Sequence, residues 1–192
     1  SHIHVDLVGP LPTSSEDHQY LFTIIDRSSR WLEAVPLKSM DTGACVDALI
    51  STWISRFGVP AIITSDRGRQ FTSAVWAGLC KLLGVEHITT TAYHPQSNGM
   101  VERAHRQIKD ALRARMAGVN WLEHLPWVLL GLRAAPKEDS GISSAEVVFG
   151  APVTLPGQFI TAGEPPAHSF LERLRDIAPI ATRAKSYAQV AA

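Results

Sequence analysis

The order of apolar periodicities predicts an α/β or α+β domain built around a mixed sheet. Three observations carry that expectation. Runs of strand length crowd the first forty residues, the apolar period becomes helical from Asp41, and short buried-type strands then alternate with helices. At 192 residues, with 45% hydrophobic and 19% charged side chains, the chain can bury one well-formed core and carry a short appendage.

His4 to Val8 reads as a strand, closed by Gly9-Pro10-Leu11-Pro12, because proline can neither donate to a ladder nor continue a helix. Tyr20 to Ile25 (YLFTII) is a continuous β-branched and aromatic run, and Trp31 to Pro36 (WLEAVP) turns extended again after DRSSR, giving an antiparallel meander. Thr42, Val46, Leu49, Ile50, Trp53, Ile54 and Phe57 recur at helical spacing, with Asp41 or Thr42 as cap and Gly58 and Pro60 as stop. Ala61 to Thr64 is a short strand entering SDRGRQF. Ser73 to Leu83 is a helix closed by Gly84, and Val85 to Thr90 is a further strand. Ser97-Asn98-Gly99 reads as a hinge at the start of a helix from about Asn98 to Met116. Trp121 to Arg133 and Ser144 to Val148 add helix, and Ala178 to Ala192 is expected to form a last one. The Gly/Pro-rich stretch Gly157 to Ala167 divides the chain into a core, 1–156, and a connector with helical tail, 157–192.

Eighteen basic residues balance eighteen acidic ones, so any attraction to a polyanion has to be local. Cys45 and Cys80 stand in apolar surroundings without CxxC spacing, and read as buried free thiols. No apolar run approaches the ~18 to 20 residues that span a bilayer, and no basic-then-apolar leader is present. A soluble intracellular chain without a membrane partner is expected. Its abrupt opening on SHIHVD, a strand already under way, reads as an excised fragment.

Four acidic residues fall where a strand end, turn or helix presents them: Asp6, Asp26, Asp66 and Glu102. Asp26, followed by Arg27-Ser28-Ser29, is explained by capping a turn. Asp6 lies inside an apolar strand, on the same face as His4, a costly place for an uncompensated charge. Asp66 closes a buried strand where a loop opens, a favoured position for ligands in α/β sheets. Carboxylates gathered from separate elements repel one another, and divalent cations relieve that repulsion. Oxygen donors without a Cys or His cluster point to magnesium or manganese. Two such ions, about 4 Å apart, suit phosphodiester displacement.

HVDLVGPLP, IIDRSSRWLEAVPL, TSDRGRQFTS and YHPQSNGMVERAHRQIKDAL, in that order, resemble the integrase catalytic core of gypsy-class LTR retrotransposons and their retroviral relatives. Thirty-five residues separate Asp66 from Glu102, the family's spacing. The similarity runs from about Ile3 to Leu155 and takes in WLEHLPWVLLGLRAAP and GISSAEVVFGAP. It implies an RNase H-like fold, a five-stranded mixed sheet flanked by helices, with Asp6, Asp66 and Glu102 as catalytic, metal-binding triad. The implied reaction is magnesium- or manganese-dependent trimming of a DNA 3′ end and attack of that hydroxyl on target DNA. The implied partners are double-stranded DNA, both element ends and target, and further copies of the chain in a dimer or higher oligomer. A nuclear setting follows. Zinc- and chromatin-binding modules flank such cores, and Cys45 and Cys80 have the wrong spacing to supply the zinc site. A domesticated, non-catalytic DNA-binding or oligomerisation module that keeps this fold is the alternative reading, and a metal-dependent nuclease without transposition a third.

On the helix after the hinge, Glu102, Arg106, Lys109 and Arg113 share one face, while Val101, Ala104, Ile108, Ala111 and Leu112 share the one expected to pack on the sheet. A carboxylate heading a basic ridge suits a DNA strand whose neighbouring phosphates lie along it. Arg67 and Arg69, beside Gly68, are further candidates for backbone contacts, and Gln96 and Asn98 for contacts to bases or the DNA end. His94 and His105 read as local hydrogen-bond partners rather than metal ligands. Trp31, Trp53, Trp76, Trp121 and Trp127 are expected in a core or at an interface between copies.

Overall fold

The structure is a computed structural model that describes residues 1–90, 95–115, 120–137 and 139–156; in the helix spanning Pro95–Arg115, side chains are described at Gly99 and at 102–111. The predicted tail, 157–192, and His94 lie outside the described residues. A compact unit, Ser1–Leu132, carries the sheet, and a second unit begins at Arg133.

Strands β1 (His2–Val8), β2 (Tyr20–Asp26) and β3 (Leu32–Leu37) form the predicted meander. With β4 (Ile62–Ser65) and β5 (Glu86–Thr89) they make a mixed sheet of order β3-β2-β1-β4-β5. The β1–β2 and β2–β3 pairs are antiparallel, whereas β1–β4 and β4–β5 are parallel. Helix α1 (Thr42–Ala48) is capped by the Asp41 side chain and continues through a π-helical stretch, Leu49–Ile54, into α2 (Ser55–Phe57). Gly58, at φ 80°, then stops it, a left-handed conformation that costs a side-chain-bearing residue more. Ser73 caps α3 (Ala74–Leu83) and Gly84 closes it in the left-handed conformation.

Side chains alternate across the strands, so each face has its own partners. Phe22, Phe71 and Trp76 form a run of ring contacts on one face. On the other, Val8, Leu21, Ile25, Leu32 and Ala34 pack with Ile108 of α4 (Pro95–Arg115) and with Trp121, Leu125, Val128 and Leu129 of α5 (Trp121–Ala134). Ala104 and Ala111 join that layer, as the helical spacing predicts. Four of the five tryptophans are buried, but Trp127 is 53% exposed, because the inner face of α5 is taken by its neighbours at positions 121, 125, 128 and 129. Cys45 and Cys80 are free and buried. In the second unit, α6 (Ser144–Phe149) opens on a capping box between Ser143 and Glu146. Among the described residues no helix is long and apolar enough to cross a membrane.

One expectation is corrected. Helix α4 starts at Pro95, so Ser97-Asn98-Gly99 lies inside its first turns and is not a hinge before it. Proline suits a first helical position, where its missing N–H is no loss. Glu102 therefore sits about two turns into the helix.

Candidate active site

Asp6 comes from the middle of β1, Asp66 from the residue that follows β4, and Glu102 and His105 from α4. All four line one cleft of about 110 Å³, with His4, Val5, Thr64, Ser65 and Thr90 completing it. The parallel register places His4 beside Thr64, so the period-two alternation brings Asp6 and Asp66 to the same face. Asp26 is elsewhere, at the end of β2: its Oδ2 accepts from Ser28 Oγ, Ser29 N and Ser29 Oγ at 2.7–2.8 Å. That is the turn cap its sequence context predicts.

Asp66 is exposed, and its Oδ1 accepts from the Gly68 amide at 2.9 Å, which folds the loop back at the carboxylate. The preceding Ser65 is buried; it donates to the Asp66 carbonyl at 2.8 Å and contacts His87 Nε2 at 2.9 Å. Thr90 N donates to the Ser65 carbonyl at 2.8 Å, so β5 braces the segment bearing Asp66. Arg67 and Arg69 are exposed on the same loop.

Asp6 is held more closely. Its Oδ1 accepts from the Leu7 amide at 2.7 Å, and its Oδ2 lies 3.2 Å from His105 Nδ1. Burial pushes the Asp6 carboxyl up to about 6; the Leu7 amide opposes this, Asp66 adds to it, and the Lys109 ammonium opposes it. His105 is pushed down to about 4 by burial and then by Lys109. The contact between them is therefore a hydrogen bond from a neutral imidazole to a carboxylate, not an ion pair. His105 Nε2 lies 2.7 Å from Thr23 Oγ1, whose hydroxyl also stands 3.2 Å from the Asp6 carbonyl. His4 is buried, with Nε2 lacking a hydrogen-bond partner, and it stacks on His2 at 5.1 Å. Burial, then His2 and Arg27, lowers its pKa to about 4.

Sequence reasoning identified His105 as a hydrogen-bond partner without saying of what, and it missed Thr23. The available signal was a single polar residue within the apolar run YLFTIID.

The donor set fits hard divalent cations. The charge on the half-buried Asp6 is disfavoured by burial and made costlier by Asp66, and Asp6, Asp66 and Glu102 line a shared cleft. Among the described residues, no three His, Cys, Asp or Glu side chains already stand close enough to hold an ion. Asp66 and Glu102 are both exposed where they line the cleft.

The remaining predicted residues divide by what is described. Arg106 and Lys109 are exposed on α4 together with Glu102, as the helical spacing requires. Gln96, Asn98 and Arg113 have their backbones in α4, and their side chains lie outside the described residues.

The profile of the Integrase core domain family matches residues 1–95. Over 151 residues the chain is 36% identical to the Gag-Pol polyprotein of avian reticuloendotheliosis virus, covering 78% of this chain and 13% of that polyprotein. This chain belongs to the integrase core domain family. The integrase core also shares 28% identity over 157 residues with the retrovirus-related Pol polyprotein from transposon 412 of Drosophila melanogaster, 81% of this chain and 13% of that protein. Among solved structures it resembles the catalytic core domain of BIV integrase, at TM-score 0.63 and 27% identity, over 78% of this chain and 93% of that one. The HTLV-2 integrase catalytic core domain in complex with magnesium has the same fold, at TM-score 0.61 and 19% identity, over 76% of this chain and 94% of that one. The fold is RNase H-like, a mixed five-stranded sheet flanked by helices.

Proposed function

We propose that this integrase core is a polynucleotidyl transferase that trims DNA 3′ ends and joins them to target DNA, dependent on magnesium or manganese held by Asp6, Asp66 and Glu102. One observation carries the reading: two aspartates and a glutamate, with thirty-five residues between the latter two, line a single cleft. When bound there, the ions would activate the attacking oxygen and offset charge on the leaving one. The chain's own residues hold and orient. Leu7 N and His105 fix the Asp6 carboxylate, Gly68 N fixes that of Asp66, and α4 carries Glu102 at the cleft rim with Arg106 and Lys109 beyond it. Those exposed cations, with Arg67 and Arg69, are suited to phosphates flanking the scissile one. The substrate is double-stranded DNA, element end and chromosomal target, which places the reaction in the nucleus. Copies would pair through the α5 face on which Trp127 is exposed.

The test is manganese-supported nicking and disintegration of branched DNA. Wild-type protein should act and Asp66→Asn should not. Equal behaviour of the two across metals would show that the carboxylates do not carry the chemistry.

A further inference from the structure

We propose that His105 is a positioning residue, which sets the Asp6 carboxylate against the helix that carries Glu102 by bridging the cross-strand pair Asp6 and Thr23. The inference rests on the triad reading above and adds to it a residue that need not touch metal or DNA.

Asp6 and Thr23 are direct partners in the β1–β2 register, so their side chains emerge side by side on the same face. Into that pair α4 inserts one imidazole. Its Nδ1 reaches Asp6 Oδ2 at 3.2 Å and its Nε2 reaches Thr23 Oγ1 at 2.7 Å. Glu102 lies three residues earlier on the same helix, about one turn away. The bridge thus ties a strand bearing one carboxylate to a helix bearing another.

Proton accounting selects a single arrangement. An ionised carboxylate can only accept, so Nδ1 carries the imidazole proton and Nε2 accepts. Thr23 has one hydroxyl proton, and the 2.7 Å contact to Nε2 takes it ahead of the 3.2 Å contact to the Asp6 carbonyl. Thr23 is 1% exposed and stands between Leu21 and Ile25 on that face, so without the imidazole its hydroxyl would keep only the longer contact. With Leu7 N on Oδ1, both Asp6 oxygens are oriented before any ligand arrives. Such outer partners of a ligating side chain typically govern affinity by about 10- to 100-fold.

The experiment measures manganese binding by calorimetry on the full 192-residue chain, without DNA. In His105→Asn the amide nitrogen takes the place of Nδ1, so the donor to Asp6 survives. In His105→Gln the amide takes the place of Nε2, so the contact to Thr23 survives instead. Affinity should stay within about threefold of wild type in His105→Asn and fall about 10- to 100-fold in His105→Gln and His105→Ala. Long-range proton–nitrogen NMR of the imidazoles supplies a readout independent of metal. His105 should be the Nδ1–H tautomer, and an Nε2–H tautomer overturns the bridge. Equal affinities for His105→Asn and His105→Gln would reduce His105 to a packing residue, whatever their melting temperatures. Glu102→Gln separates the two levels. If it loses affinity while both His105→Gln and His105→Ala keep it, positioning alone fails. If it binds like wild type, or if wild type binds no manganese, the triad reading fails and this inference with it.

Discussion

Glu102 and His105 stand three residues apart on α4, yet Glu102 is exposed at the cleft rim while the His105 side chain is only 12% exposed and reaches the sheet. A single helical turn thus carries an exposed carboxylate and a side chain anchored on the sheet. Glu102→Gln should therefore change stability by less than about 0.5 kcal/mol, as exposed substitutions do, while abolishing manganese-dependent nicking. Urea unfolding in a chelator and activity assays check the two halves, and a loss of more than about 2 kcal/mol would mean that Glu102 has a structural partner.

Asp6, a proposed metal ligand, gives the opposite case, because its ionised form weakens the fold. Its folded pKa, about 6, lies above the ordinary 3.8, so the native state binds its proton more tightly than the unfolded chain. The contribution to stability is fully present below about pH 4 and is lost as pH rises through 6. Across that window the loss amounts to about 1 to 3 kcal/mol, after allowance for partial exposure of the carboxyl. Asp6→Asn should be more stable than wild type at pH 7.5 in chelator, with the gap closing near pH 4. A gap of equal size at both pH values would contradict this.

His4 titrates with the reverse sign. Its pKa falls from 6.5 to about 4, first through burial and then through His2 and Arg27. Stability from the neutral imidazole is complete above 6.5 and lost as pH drops toward 4. His4→Phe keeps an aromatic ring against His2 and removes the titration, so its stability should fall by about 2 to 3 kcal/mol less than that of wild type between pH 7 and pH 4.5. Parallel pH profiles for the two proteins would show that His4 stays protonated or solvated in the fold.

How much of this was legible depended on whether a residue's role is set locally. Asp41, Ser73, Gly58 and Gly84 cap or stop helices through contacts within a few residues, and the sequence places them well. The spacing from Asp66 to Glu102 is readable because it belongs to the sequence itself, and the fold brings both residues to one cleft. Thr23 was not readable. A threonine is an ordinary β-former, and its value lies in facing Asp6 across a register set by the residues between β1 and β2, which carry no tight-hairpin signal. The start of α4 was misread for a related reason. Gly99 costs a helix about 1 kcal/mol, but burial of Ile108 with Ala104 and Ala111 on the sheet outweighs that local preference.

Ile108 and Lys109 are neighbours in sequence with opposite exposures, one fully buried and the other open to solvent. The contrast allows the proposed DNA face of α4 to be tested without disturbing its sheet face. Ile108→Ala should cost about 2 to 5 kcal/mol, whereas changes at Arg106 and Lys109 should leave stability nearly intact. Reversal of charge is a poor choice at Lys109, because its ammonium favours the ionised form of Asp6 and a carboxylate there would raise the Asp6 pKa further. Neutralisation is cleaner. Arg106→Gln with Lys109→Gln should weaken binding of double-stranded DNA and lower the slope of log affinity against log salt by about one for each phosphate contact removed. Lys38→Gln with Lys81→Gln, exposed changes after β3 and on α3, is the control that removes the same net charge. Similar losses in slope from the ridge pair and from the control pair would mean that DNA senses only the overall charge. A loss confined to the ridge would place the strand along α4, beyond Glu102, the proposed metal ligand.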